Sequence, residues 1–176
     1  MMAEAAPIAG KRGADEVEER DAKRPRGDAA AGEDACCVIC LDSTPPLIQS
    51  GCACRGDAGL AHVACRVKAA EWQAAEKKRK AWTRCQTCKQ KFTGSMQLGL
   101  AEARWSKVQG RPKQDKARLK AALKMASALR GQGKYAEAEK MQREVLAVQQ
   151  QVLRAQHPST LTTAGNLAKT LKAKEK

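Results

Sequence analysis

The chain has 176 residues, 33 Lys and Arg against 19 Asp and Glu, and a net charge of +14. Three Trp, one Tyr and one Phe give too little large apolar side chain for one big core, so one or two small domains are expected. No run approaches a membrane span and the N-terminus lacks the pattern of a secretory signal, so the sequence predicts a soluble, intracellular protein. In that setting eight cysteines read as metal ligands rather than disulfides.

Residues 1–34 carry six basic and nine acidic side chains and almost no large apolar ones. Such a segment cannot bury enough surface to offset its ordering entropy, and a disordered tail is expected. Within it Lys11-Arg12 and Lys23-Arg-Pro-Arg26 fit a bipartite nuclear import pattern, although short basic runs also arise by chance. Cytoplasm or nucleus is the expected location. Residues 35–92 (net +6) hold all the cysteines, and residues 93–176 (net +11) are rich in helix formers. Residues 93–112 are expected to form a connecting helix, with Leu98, Ala101, Trp105 and Val108 on one face, interrupted at Arg111-Pro112. Helical pattern then runs from Leu119 to Leu153, broken at Gly131-Gln-Gly133.

The potential ligands fall in four close pairs. Cys37 and Cys40 are followed by Cys52 and Cys54, His62 and Cys65, and Cys85 and Cys88. Tetrahedral Zn²⁺ takes four such ligands, so four pairs make two complete structural sites with no position open for a reactive water. Two zinc ions are the expected cofactors, and they would supply folding energy that a short, aromatic-poor segment lacks. Cys36 is left over. Lys77-Lys-Arg-Lys80 reads as a solvated helix end.

The full spacing, C-x2-C-x11-C-x-C-x7-H-x2-C-x19-C-x2-C, resembles the RING-CH (RING-variant) zinc finger family over residues 36 to 92. Cys37-Val-Ile-Cys-Leu41, Gly51-Cys-Ala-Cys-Arg-Gly56, Trp82 and Phe92 add to the likeness. The PHD finger shares the ligand order but differs in the gaps around the fourth ligand. The resemblance implies a small zinc-stabilised α+β cross-brace. Cys37, Cys40, His62 and Cys65 would share one ion, and Cys52, Cys54, Cys85 and Cys88 the other. It also implies a RING-type ubiquitin-protein ligase, which docks a ubiquitin-conjugating enzyme and works without a covalent intermediate. Ile39 and Trp72 are the candidate partner-binding residues. Plain packing is the competing reading for both. Ala69 and Gln86 stand where the family often has Trp and Pro. A non-catalytic adaptor is the alternative function.

Leu119, Ala122, Met125, Ala126 and Leu129 recur 42 residues later as Leu161, Ala164, Leu167, Ala168 and Leu171. This resembles the tetratricopeptide repeat, in the 42-residue variety of kinesin light chains, and implies an all-α hairpin repeat over residues 113–176. One full repeat and one further helix are present, either capped by that helix or cut from a longer protein. Such helices would bind a protein target, and their basic excess would suit an acidic segment. His157 reads as a repeat-junction residue rather than a ligand. The scattered aromatics form no stacking platform, so only weak, non-specific nucleic-acid binding is expected.

Overall fold

The computed structural model describes residues 35–44, 46–76 and 80–175. The acidic tail with its bipartite basic run, and Lys77 to Arg79, lie outside the described residues.

Strands are short in the cysteine-rich segment because ligand pairs interrupt the chain every few residues. β1 (Ile48–Gln49) pairs antiparallel with β2 (Leu60–Ala61), with Ile48 opposite Ala61. A 3-10 turn at Gly56–Gly59 leads into β2, and α1 (Val63–Ala75) starts one residue after it. An isolated bridge joins Arg84 to Lys91. The core here consists of Cys37, Cys52, Ala61, Cys85, Phe92, Met96 and Leu100, with Val63 and Trp82 packed against it. Three of those seven side chains are cysteines, so the core is incomplete as a purely hydrophobic one.

Met96 and Leu100 belong to α2 (Gly94–Ser106). They are four residues apart and so share one side of the helix. Leu98, on a different side, packs on the cluster of the following helices. α2 is therefore shared by both halves of the protein. It is shorter than the sequence predicts: it ends at Ser106, and a turn over residues 107–110 places Val108, still buried, outside the helix. α1 approaches α2 closely at Gly99, where a Cβ would meet Val63 Cγ1 at 2.6 Å.

α3 (Lys116–Gly131), α4 (Tyr135–Leu153) and α5 (Pro158–Lys174) complete the fold. Asp115 caps α3 by accepting from the Arg118 N–H at 2.8 Å. Gly133, at φ +76°, supplies the left-handed residue that turns the chain into α4. His157 caps α5, its Nδ1 accepting from the Ser159 N–H at 3.1 Å, with Pro158 at the first helical position. The helices stack in order, α2 on α3, α3 on α4 and α4 on α5. Small side chains, Ala126 and Ala138, are fully buried together with Leu129 where α3 meets α4. The α4–α5 seam is more polar: Gln142, Gln149, Thr160, Thr163 and Thr170 are buried. Thr163 and Thr170 return their hydroxyl protons to the carbonyls of Ser159 and Asn166. Among the described residues, no helix is long and apolar enough to cross a membrane.

Candidate metal centre

Two segments far apart in sequence build the same local turn. In the first, the Cys37 N–H donates to Asp42 O and the Leu41 N–H returns to Cys37 O. In the second, the Cys85 N–H donates to Gln90 O and the Lys89 N–H returns to Cys85 O. Leu41 and Lys89 both sit at φ +60°. A non-glycine residue there is disfavoured, so the surrounding contacts must hold it. The turn aims backbone N–H groups at sulfur: the Ile39 N–H lies 3.5 Å from Cys37 Sγ.

The remaining pairs are placed by the hairpin. Cys52 and Cys54 follow β1, after Gly51 at φ +61°. At Gly51 a Cβ would lie 2.1 Å from Thr93 Oγ1, whose hydroxyl donates to Gly51 O. His62 and Cys65 straddle the start of α1, three residues apart and hence on one side of it. The Val38 N–H donates to Leu60 O at 3.0 Å, tying the first turn to β2 beside His62.

The result is two groups of four. Cys37, Cys40, His62 and Cys65 bring their ligand atoms within 4.8 Å of one another, and so do Cys52, Cys54, Cys85 and Cys88. The first and third pairs meet, as do the second and fourth. Cys36 joins neither group, and all eight cysteines are unbridged. Cys40 Sγ is 3.4 Å and Cys65 Sγ 3.7 Å from His62 Nδ1, and Cys54 Sγ is 3.7 Å from Cys85 Sγ. Tetrahedral Zn²⁺ with ordinary bond lengths requires separations of about 3.6 Å for S···N and about 3.8 Å for S···S. The donors present fit such an ion, and each group could hold one.

The outer contacts suit the same role. His62 Nε2 donates to Thr44 O, which leaves the Nδ1 lone pair facing the sulfurs. Asp42 holds the Thr44 loop through Oδ1, which accepts from the Thr44 N–H at 2.9 Å and from its hydroxyl at 2.6 Å. The Thr44 carbonyl raises the pKa of His62. Burial pushes Cys37 up, but N–H donors from Cys40, His62 and Ile39 outweigh it and bring it down to about 6. The Gln90 N–H is the main cause that lowers Cys88 to about 6. Burial and neighbouring thiols push Cys54 up to about 12 and Cys65 up to about 11. Cys37 and Cys88 are thus drawn toward thiolate, one in each group, whereas Cys65 in the first group and Cys52 and Cys54 in the second are held as thiols that would ionise when a cation arrives.

The candidate partner residues belong to neither group of four, although Ile39 adjoins Cys40. Ile39 is 39% exposed and Trp72 62% exposed, so the packing reading fails for Trp72. Val38 and Leu41 are exposed on the same turn as Ile39. Gln86 is half-buried, and Lys89 is exposed. A second feature, not anticipated from the sequence, is a cavity of about 460 Å³ between α2, α3 and α4. Trp105, Leu119, Met141, Val145 and Val148 are among its lining residues, with Lys113 and Arg118 also on its wall. The Arg118 guanidinium lies 5.7 Å from the centre of the Trp105 ring. Only the fold of α2 against α3 and α4 brings these residues together.

No curated protein and no solved structure matches the chain. The tetratricopeptide repeat family matches residues 118–176, which is α3 through α5 without the first two positions of α3. The C-terminal third of this chain is therefore similar to tetratricopeptide repeats, a family that generally mediates protein–protein contact.

Proposed function

We propose that residues 35–92 form a RING-CH-like finger with two structural zinc ions in a cross-brace, and that the protein is a RING-type ubiquitin-protein ligase. In this reading the finger docks a ubiquitin-conjugating enzyme and the helices hold a protein target. The carrying observation is the apolar surface left on the finger: Val38, Ile39 and Leu41 on one turn and Trp72 on α1. Three exposed apolar side chains on one turn supply neighbouring surface for a docked partner to cover. The zincs do no chemistry. They fix the turn that presents Ile39, and the bound enzyme carries out the transfer. The cavity, whose wall carries Lys113 and Arg118 against one acidic residue, Glu144, suits a target segment in which an apolar anchor adjoins an acidic residue.

The test is discharge of ubiquitin from a panel of loaded conjugating enzymes by the full zinc-loaded chain. Wild type is expected to accelerate discharge by at least one of them. Ile39→Ala is expected to lose about tenfold or more, as truncation of a central contact does, and Cys37→Ser to abolish the effect. Silence across the panel supports the second reading, a zinc-stabilised adaptor, which Gln86 at the position usual for Pro favours. Activity that survives Cys37→Ser excludes the finger as its source.

A further inference from the structure

One hydroxyl beside the first group of four is both reachable from solvent and part of what orients a ligand. Asp42, Ser43 and Thr44 are exposed and lie outside any helix or strand. The Thr44 hydroxyl donates to Asp42 Oδ1 at 2.6 Å, and the Thr44 N–H donates to the same oxygen at 2.9 Å. These two bonds close a tight loop that sets the Thr44 carbonyl, the acceptor of the His62 Nε2 proton. His62 Nδ1 in turn lies 3.4 Å from Cys40 Sγ and 3.7 Å from Cys65 Sγ. Contact therefore passes from the Thr44 hydroxyl, through Asp42 and the Thr44 carbonyl, to a metal donor. The second group consists of cysteines alone, so it has no imidazole for a carbonyl to orient.

Thr44 is also the one serine or threonine of the chain that precedes a proline, in Ser43-Thr-Pro-Pro46. The position before proline favours extended backbone, which suits an acceptor that must enter a kinase cleft. We infer that Thr44 is a phosphorylation site for a proline-directed kinase, and that its phosphate weakens metal binding by Cys37, Cys40, His62 and Cys65. This rests on the zinc sites proposed above. In the transfer, Thr44 Oγ bonds to the γ-phosphorus of ATP, and the bond from that phosphorus to the β–γ bridging oxygen breaks. ADP leaves, and the hydroxyl proton passes to the base of the kinase. The oxygen that donated to Asp42 then carries no proton. The phosphate adds a charge of about −1.5 to −2 beside a carboxylate whose oxygen lay 2.6 Å from Oγ. Like charges so close repel, the loop opens, and the Thr44 carbonyl leaves His62. Loss of such an outer partner costs about 10–100-fold in metal affinity.

The full chain carrying phosphothreonine at position 44 is compared with the unmodified chain by chelator competition and native mass spectrometry. The unmodified chain should hold two zincs. The phosphorylated chain should hold one of them about 10–100-fold more weakly and the other as before. Cobalt(II) in place of zinc assigns the loss, since a centre with a histidine and one with cysteines alone differ in absorption. In Asp42→Asn the repulsion is absent and the amide can donate to the phosphate, so phosphorylation there should change retention by no more than about threefold. Purified proline-directed kinases with ATP should modify Thr44 of the zinc-loaded chain but not of Pro45→Ala. Equal retention with and without phosphate, a loss from the four-cysteine group instead, or an undiminished loss in Asp42→Asn would overturn the inference. So would a kinase panel that leaves Thr44 unmodified. An unmodified chain that holds no zinc refutes the zinc reading itself, and this inference falls with it.

Discussion

Replacing Met96 by Ala tests whether the metal sites depend on a helix that follows the last ligand. Met96 is 0% exposed and sits in one cluster with Cys37, Cys52 and Cys85. Large-to-small changes of this kind cost about 2–5 kcal/mol, more when the site cannot collapse. Sulfurs fixed by bound metal have little freedom to close the gap, so about 3 kcal/mol is a fair central value. Metal binding and folding are coupled in small fingers. The loss therefore appears as weaker metal retention, by about 100-fold. Competition with a chromophoric chelator on the zinc-loaded full chain reads this directly. Leu98→Ala is the crossed control, because Leu98 packs instead on the Ala126–Leu129–Ala138 cluster. It should lower the thermal midpoint of the helices and change zinc retention by no more than about threefold, an effect below 1 kcal/mol. If Met96→Ala leaves zinc retention unchanged, or Leu98→Ala weakens it equally, the division of α2 between the two cores is wrong.

Metal affinity should fall as pH is lowered. Cys65 at about 11, Cys54 at about 12 and Cys52, also raised, are thiols at pH 7 in the metal-free protein and must give up protons on binding. Cys37 and Cys88, both near 6, join them below that pH and steepen the loss. Calorimetry in buffers of different ionisation enthalpy should show net proton release at pH 7; no release would contradict the assignment of these thiols. Gly51→Ala combines a left-handed backbone with a Cβ 2.1 Å from Thr93 Oγ1. It should cost about 1–3 kcal/mol and lower zinc retention. An unchanged retention would show that the Gly51–Thr93 contact does not support the second group of four cysteines.

Much of the protein was legible before any fold was known, where a local rule governs. Ligand pairs are local because metal geometry requires donors on tight turns, so the eight positions stand out from spacing alone. Helices α3 to α5 announce themselves through Gly133, Pro158 and a 42-residue recurrence. Which pair meets which is not local: the meeting of Cys37 and Cys40 with His62 and Cys65 depends on the β1–β2 hairpin and the Val38–Leu60 hydrogen bond. The grouping of the first pair with the third and the second with the fourth was available beforehand only through family resemblance. Trp72 shows the same limit, since helical spacing alone gave no way to choose between core and surface.

The sequence by itself therefore determined the inventory: the metal donors, the helical repeat, and the division of charge between an acidic tail and basic helices. Tertiary structure decided how these parts connect. α2 reads as a linker by composition, yet Met96 and Leu100 close the finger core while Leu98 closes the helical one. The same Leu–Ala pattern is buried in α3 and open in α5, because α3 has a helix on each side and α5 packs mainly on α4. A periodic pattern fixes which side chains share a face, but only the neighbours present in space decide whether that face is covered.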